Sequence, residues 1–352
     1  MFVSEQAPLD DRRCLLPLLV FGLQAGQQLS PVAGLNEFLS ALYLNVRMGG
    51  LLGERDLAKV TVCIEATIPF RGPDESGASC FDRLENRLRM VNETLQLAMS
   101  ETEVVDLIRE AVVFANGDVD SFAEADPGRF LDDTWLLLPE TNAALRSGEV
   151  YSIRDYRQAL QKMGGFVNFL NPDHVFHSYR GVPAKEEFRA MVEFARRNIV
   201  TARDYLGVKL LTIAVLEALA EISGGDAPLS LFMGDSRRQA RHARSLESYL
   251  PAVEASAEDQ TLVSRLLAFG RASESIFDIK NSPTSLYLLS VLGADEIQRL
   301  LPHAEAMFAG QLDPKRFLDH IDGAVVAAVA KAAGQMVSTR RAPLLQYARS
   351  RE

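Results

Sequence analysis

The sequence is poor in histidine, with 5 in 352 residues and none before His174. An imidazole-based metal or acid–base centre therefore has nothing to draw on in the first half of the chain. Cysteine is as sparse. Cys14, Cys63 and Cys80 are odd in number and far apart, so neither a disulfide framework nor a closely spaced zinc pair is encoded. No apolar run is long: residues 14–23, interrupted by Pro17, and residues 210–219 reach about half of the roughly 20 residues a spanning helix needs. A membrane partner is not expected. Positive charge is also short: the net charge is -10 and the pI near 5.2, against the clustered Lys and Arg by which nucleic-acid binders neutralise phosphates. Nucleic acid is excluded as an expected partner. Glu5, Asp10 and Asp11 precede the first apolar run, where a secretory signal would be positive, so the expected location is cytoplasmic.

What is present is an ordinary globular composition, 47% hydrophobic and 24% charged, long enough for one large domain or two ordinary ones. Apolar residues recur at three- and four-residue steps nearly throughout, and alternating runs are few, which predicts an all-α fold. Helices are expected over residues 11–24, 34–47, 54–68, 80–99, 101–115, 152–163 and 184–221. Pro69 stops the third, and Ser100 with Glu103 forms a capping box that opens the fifth. Residues 71–79 and 124–150 are rich in loop formers. The second half of residues 184–221 is apolar on almost every side and must be enclosed, until Gly224 and Gly225 end it. A short helix ending near Met233 follows. A basic stretch around Arg237, Arg238, Arg241, His242 and Arg244 then reads as a connection to further helices over 262–277, 284–292, 294–301 and 322–337. The expected division is a domain over residues 1–250 and a helical extension over 251–352.

Three short motifs in the first third carry more. Asn36-Glu37 with Ser40-Ala41, then Glu65-Ala66-Thr67, then Asp118 in Asn116-Gly117-Asp118 resemble, in order, landmarks of the HD-domain metal-dependent phosphohydrolases, which include the cyclic-nucleotide phosphodiesterases. The resemblance implies an HD-type helical bundle and a hydrolytic metal held by imidazole and carboxylate. It also implies that the paired His-Asp of the family falls on Gln27-Gln28, neither of which is a normal metal ligand. If the fold is right, that metal centre is dismantled or rebuilt from elsewhere.

Elsewhere, Asp173-His174-Val175-Phe176-His177 is the densest group of ligating residues. On a helix begun by Pro172 and capped by Asn171, its two histidines would share a face and reach one metal. His177, Tyr179 and Arg180 could instead clamp a phosphate or carboxylate. Lys209 sits at the edge of an apolar run, where a buried ammonium has its pKa lowered or extends to water. Arg196, Arg197 and Arg203 read as a solvated ion-pair face with Glu193.

The expectation drawn from these residues is a ligand-binding or regulatory module that recognises a small phosphorylated or anionic ligand without cleaving it, through Gln27, Gln28, Glu37, His177, Tyr179 and Arg180, and needs no cofactor. The alternative is a phosphohydrolase whose divalent ion (Mg, Mn, Fe or Zn) is held by Asp118, Asp120, His174 and His177. Asp118 and Asp120 are also explained as a turn cap and a solvated carboxylate. A third reading is a scaffold that forms a homodimer through the small-residue face of Ala324, Ala327, Ala328, Ala330 and Ala332.

Overall fold

The computed structural model describes residues 11–24, 26–28, 34–146, 150–234, 245–252, 261–275 and 277–352. Among them the secondary structure is helical, with two isolated bridges, Ser152–Pro228 and Tyr179–Val182, and no strand, so the fold is all-α. The chain divides into two compact units, Met1–Glu124 with Leu170–Arg197, and Ala125–Phe169 with Asn198–Glu352. The boundary expected at residue 250 falls inside the second unit. The basic stretch at Arg237–Arg244 lies outside the described residues. No helix among the described residues is long and apolar enough to cross a membrane.

The first unit holds α1 (Arg12–Phe21), α2 (Leu35–Met48), α3 (Glu54–Ala66), α4 (Cys80–Leu95) and α5 (Glu101–Asp118). Local chemistry sets their ends. Ser100 and Glu103 form the expected capping box, Ser79 and Asp82 form a second at the start of α4, and Gly22 closes α1 in the left-handed conformation. Each helix turns one apolar face inward: Ala58 and Val62 of α3, Leu84, Leu88 and Val91 of α4, and Leu107, Ile108 and Val112 of α5 share one core. Truncating one such leucine to alanine costs about 2–5 kcal/mol. A surface pair such as Arg12–Glu54, nearly half exposed on both sides, contributes about 0–1 kcal/mol, so packing holds the unit together. Asn45 adds direction by donating to Thr61 Oγ1 at 2.7 Å, joining α2 to α3.

The second unit contains α6 (Pro127–Leu136), α7 (Leu138–Thr141), α8 (Ile153–Phe169) and most of α9 (Lys185–Ser223), then α10 (Leu229–Met233), α11 (Leu262–Phe269), α12 (Pro283–Leu292), α13 (Ala294–Phe308), α14 (Pro314–Asp319), α15 (Gly323–Met336) and α16 (Arg341–Arg349). Residues 211–220 of α9 are buried throughout, as their composition requires. Four details depart from the sequence reading. Residues 127–146 are largely helical, because Pro127 occupies a first-turn position behind the Asp126 cap and starts a helix instead of breaking one. Helix α13 runs past Pro302 to Phe308 because Ala304 and Met307 continue the buried face begun by Ile297 and Leu300. Helix α11 stops at Phe269, not 277. Gly270, at φ +97, brings the returning chain within 2.9 Å of where its Cβ would lie, a position closed to other residues. Finally, of the small-residue face expected to dimerise, Ala327, Ala330 and Ala332 are buried inside the chain, where α15 packs on α16, whereas Ala328 is half-buried and Ala324 is exposed.

Candidate functional site

In the first unit the ionisable groups converge on Arg71. Pro69 ends the run of α3, and Phe70 at φ 59 turns the chain back beneath it. Arg71 then donates from Nε to the Ile68 carbonyl at 3.0 Å and from a terminal nitrogen to the Glu65 carbonyl at 3.0 Å, closing the negative end of the helix. The same guanidinium reaches the Glu65 carboxylate at 2.8 Å. Glu65 is 2% exposed and receives a second guanidinium, Arg87 of α4. Arg87 also caps α1 by donating to the Val20 carbonyl at 2.7 Å, in space left by Gly22. Burial alone would lower the Arg71 pKa; the charge and hydrogen bond of Glu65, with smaller contributions from Cys80 and Glu37, together outweigh it and raise it. Arg87 goes the other way, lowered chiefly by burial.

The chain returning at 170–197 brings His177 to the same place. Asn116 clamps its backbone with two 2.9 Å hydrogen bonds, donating to the His177 carbonyl and accepting from its N–H. The imidazole edge lies on the Phe81 ring at 5.2 Å between centroids, and Nδ1 faces Cys80 Sγ at 3.9 Å. Burial, with the positive charge of Arg71, holds the His177 pKa down at about 4, so the ring is neutral at pH 7. Burial likewise pushes the Cys80 thiol up, with Arg71 opposing.

A second cluster lies within the second unit. Close approach at Gly270 returns residues 271–282 to the helices, with Arg271 N–H donating to the Lys280 carbonyl at 3.0 Å and Ser282 N–H to the Leu267 carbonyl at 2.8 Å. Asp278 Oδ2 thereby accepts from Trp135 Nε1 at 2.8 Å, Tyr156 Oη at 2.7 Å and Lys209 Nζ at 2.9 Å. Lys209 also donates to Ser282 Oγ at 3.0 Å and sits 5.0 Å from the Trp135 ring centroid. Arg271 lies 3.5 Å from Asp278 and 3.3 Å from Asp132. Burial would raise the Asp278 pKa, but Lys209 and Arg271 hold it below the usual carboxylate value, and burial beside that charge drives the Tyr156 phenol well up. Lys209 thus neither extends to water nor stands alone.

The residues expected to form a site are only partly gathered. Glu37 lies within the field of Arg71, and His177 and Tyr179 both pack on Phe81. Arg180 donates to buried Glu85 at 2.9 Å and lies over the Tyr179 ring. Gln27 and Gln28 are exposed, and the Gln27 side chain accepts from the Gln24 N–H at 3.0 Å, a local turn. Asp118 and Asp120 are exposed at and just beyond the end of α5. Pro172–His174 is a single 3-10 turn, capped by Asn171 as expected, but no helix continues to His177. His174 packs on Gly72 while His177 faces Cys80. Among the described residues no three of His, Cys, Asp and Glu are placed to hold one ion, so Asp118, Asp120, His174 and His177 do not assemble a metal site. Arg196 pairs with Glu193 and Asp173, whereas Arg203 donates to the Val167 carbonyl.

The reading by motif passed over Arg71, Arg87, Asn116 and Asp278. Arg71 carried a signal, a cation just past a Pro-terminated helix; Asn116 stood inside the motif but two residues before the aspartate that drew notice. An open depression of about 480 Å³ lies apart from these groups, lined by Gly53, Arg55, Lys59, Gln96 and Glu103 among others. Comparison of the chain with family models, curated proteins and solved structures returns no match.

Proposed function

We propose that the chain is a non-catalytic, ligand-binding or regulatory module on an HD-like helical core, and that it takes a small anionic ligand at the Arg71 cluster. The observation that carries this reading is the pairing of two guanidiniums, Arg71 and Arg87, with one buried carboxylate, Glu65, beside a neutral imidazole. Hydrolysis on a metal needs an open coordination position and a base free to activate water. Here Glu65 is closed by two arginines, Glu85 by Arg89 and Arg180, Glu217 by Arg157 and Asp278 by Lys209. A partly buried excess of guanidinium over carboxylate in direct contact suits a phosphate or carboxylate, which accepts from such forks.

The test is thermal unfolding of the purified full-length protein with inorganic phosphate and with adenosine monophosphate. A ligand specific to the folded state raises the midpoint, by about 2.7 kcal/mol of stabilisation at a hundredfold excess over its Kd. The rise is expected to vanish in Arg71→Lys, which keeps the charge but loses the fork. Hydrolysis of bis(p-nitrophenyl) phosphate that depends on added Mn(II) and is lost in Asp118→Ala would overturn the reading in favour of a phosphohydrolase.

A further inference from the structure

Resting on the anion reading above, we infer that the Arg71 site is proton-coupled: an oxyanion entering it brings one proton onto His177, and binding tightens as the pH falls. The charges of the ligand-free cluster are already close to balance. Arg71 and Arg87 face Glu65, Glu37 lies within the field of Arg71, and neighbouring Arg83 is matched by Asp74 at 2.9 Å. Arg87 donates from Nε to the Val20 carbonyl and from Nη2 to Glu65, which leaves Nη1 without an acceptor among the described residues. That nitrogen can donate to an arriving oxygen. The negative charge that comes with the oxygen still lacks a counter-charge, in a partly buried place where solvent screens poorly.

A proton supplies the counter-charge, and His177 is placed to take it. The two guanidiniums are charged already, Glu65 is held by both of them, and burial keeps the Cys80 thiol protonated. The His177 ring is neutral and half-buried, its backbone is fixed by Asn116, and its Nε2 makes no hydrogen bond among the described residues. Facing it are Arg71 from the chain after α3, the Cys80 thiol of α4 at 3.9 Å from Nδ1, and His174 on its own segment; α5 contributes the uncharged Asn116. Burial and the charge of Arg71 are what hold the ring unprotonated, and an anion beside Arg71 offsets the second of these directly. The proton leaves a buffer acid and lodges on the imidazole; no other bond is exchanged. An anion that returns the ring from about 4 to its ordinary value near 6.5 gains about twentyfold in affinity between pH 7 and pH 5. The gain is present below the bound value and lost as the pH rises through it.

The experiment is isothermal titration of the purified full-length protein with sulfate, whose charge does not change between pH 5 and pH 7. It is run at both pH values in pairs of buffers with different ionisation enthalpies, with inorganic phosphate alongside. Sulfate affinity is expected to rise by about tenfold or more from pH 7 to pH 5, with uptake of about one proton per anion at pH 5. This wild-type measurement needs no variant to fold. In His177→Gln the pH dependence and the uptake should vanish; in His174→Gln both should persist. Sulfate bound equally at the two pH values without proton uptake, or phosphate taken without sulfate, leaves the anion reading standing and overturns the coupling. A pH dependence that survives His177→Gln, or is lost in His174→Gln alone, also overturns it. If neither anion binds at either pH, the anion reading fails and the coupling falls with it.

Discussion

Replacing Asp278 by asparagine removes one charge and almost no volume. The Oδ2 atom accepts three hydrogen bonds, from Trp135, Tyr156 and Lys209, and an amide oxygen can occupy the same position. What is lost is the counter-charge of Lys209, 7% exposed, and one of two for Arg271, 1% exposed, which keeps Asp132. At this depth solvent cannot take over the lost charge. Removing one partner of a buried pair costs about 3–5 kcal/mol, largely the burden of the ion left behind. For a unit of about 200 residues, at roughly 2–4 °C per kcal/mol, the midpoint should fall by about 10 °C. Trp135 is the chain's sole tryptophan and touches Asp278, so its fluorescence during urea unfolding reports this unit directly. Adding Lys209→Met to Asp278→Asn should recover part of the loss, with a coupling of about 1–3 kcal/mol. A loss under about 1 kcal/mol for the single variant, with no coupling in the double, would refute the claim that residues 271–282 are held by a buried charge.

Other consequences can be checked separately. The His177 pKa of about 4 lies below its unfolded value near 6.5, so the unfolded chain binds the extra proton between those pH values. Stability should therefore be full above pH 6.5 and decline by on the order of 3 kcal/mol as the pH falls to 4, a slope flattened in His177→Gln and measurable by urea titration at several pH values. The depressed Asp278 pKa works in the carboxylate sense: its contribution is present above about pH 4 and lost as the pH drops through the lower folded value. Tryptophan-detected acid unfolding should show that component in the wild type and not in Asp278→Asn. Gly34→Ala meets two obstacles, a φ of +84 and a clash of the new methyl with Ile68 Cδ1, and should cost about 2–4 kcal/mol by far-UV circular dichroism.

Most of the fold was legible because helix formation is written locally. The Ser100–Glu103 box and the enclosed run 211–220 needed no tertiary information. The misreadings mark where a local rule has two outcomes. Proline at Pro127 starts a helix and at Pro69 ends one, and only the Asp126 cap distinguishes them. The site was far less legible, because its partners are remote in sequence: Arg71 meets Arg87 through Glu65, His177 meets Asn116 across 61 positions, and Asp278 meets Trp135 across 143. Spacing along a helix suggested that His174 and His177 act together, but the chain leaves the helical path after a single turn and aims them apart.

Four buried carboxylates share one arrangement, each closed by two cations. Glu65 takes Arg71 and Arg87, Glu85 takes Arg89 and Arg180, Glu217 takes Arg157 with Arg154 at 3.7 Å, and Asp278 takes Lys209 with Arg271 at 3.5 Å. Net stabilisation is a poor reason for them, since well-packed apolar residues often do as well as a buried ion pair. Helices as apolar as α9 and α15 can slide along one another at small cost in buried area, whereas a buried carboxylate one turn out of register faces hydrocarbon and forfeits several kcal/mol. The hypothesis that follows is that these groups select one register among many compact ones, a use attested elsewhere for buried polar residues. It also bears on function. A carboxylate that must face two cations to keep the helices in register is withheld from catalysis, so the donors left for other chemistry are those outside these sets, His177 foremost.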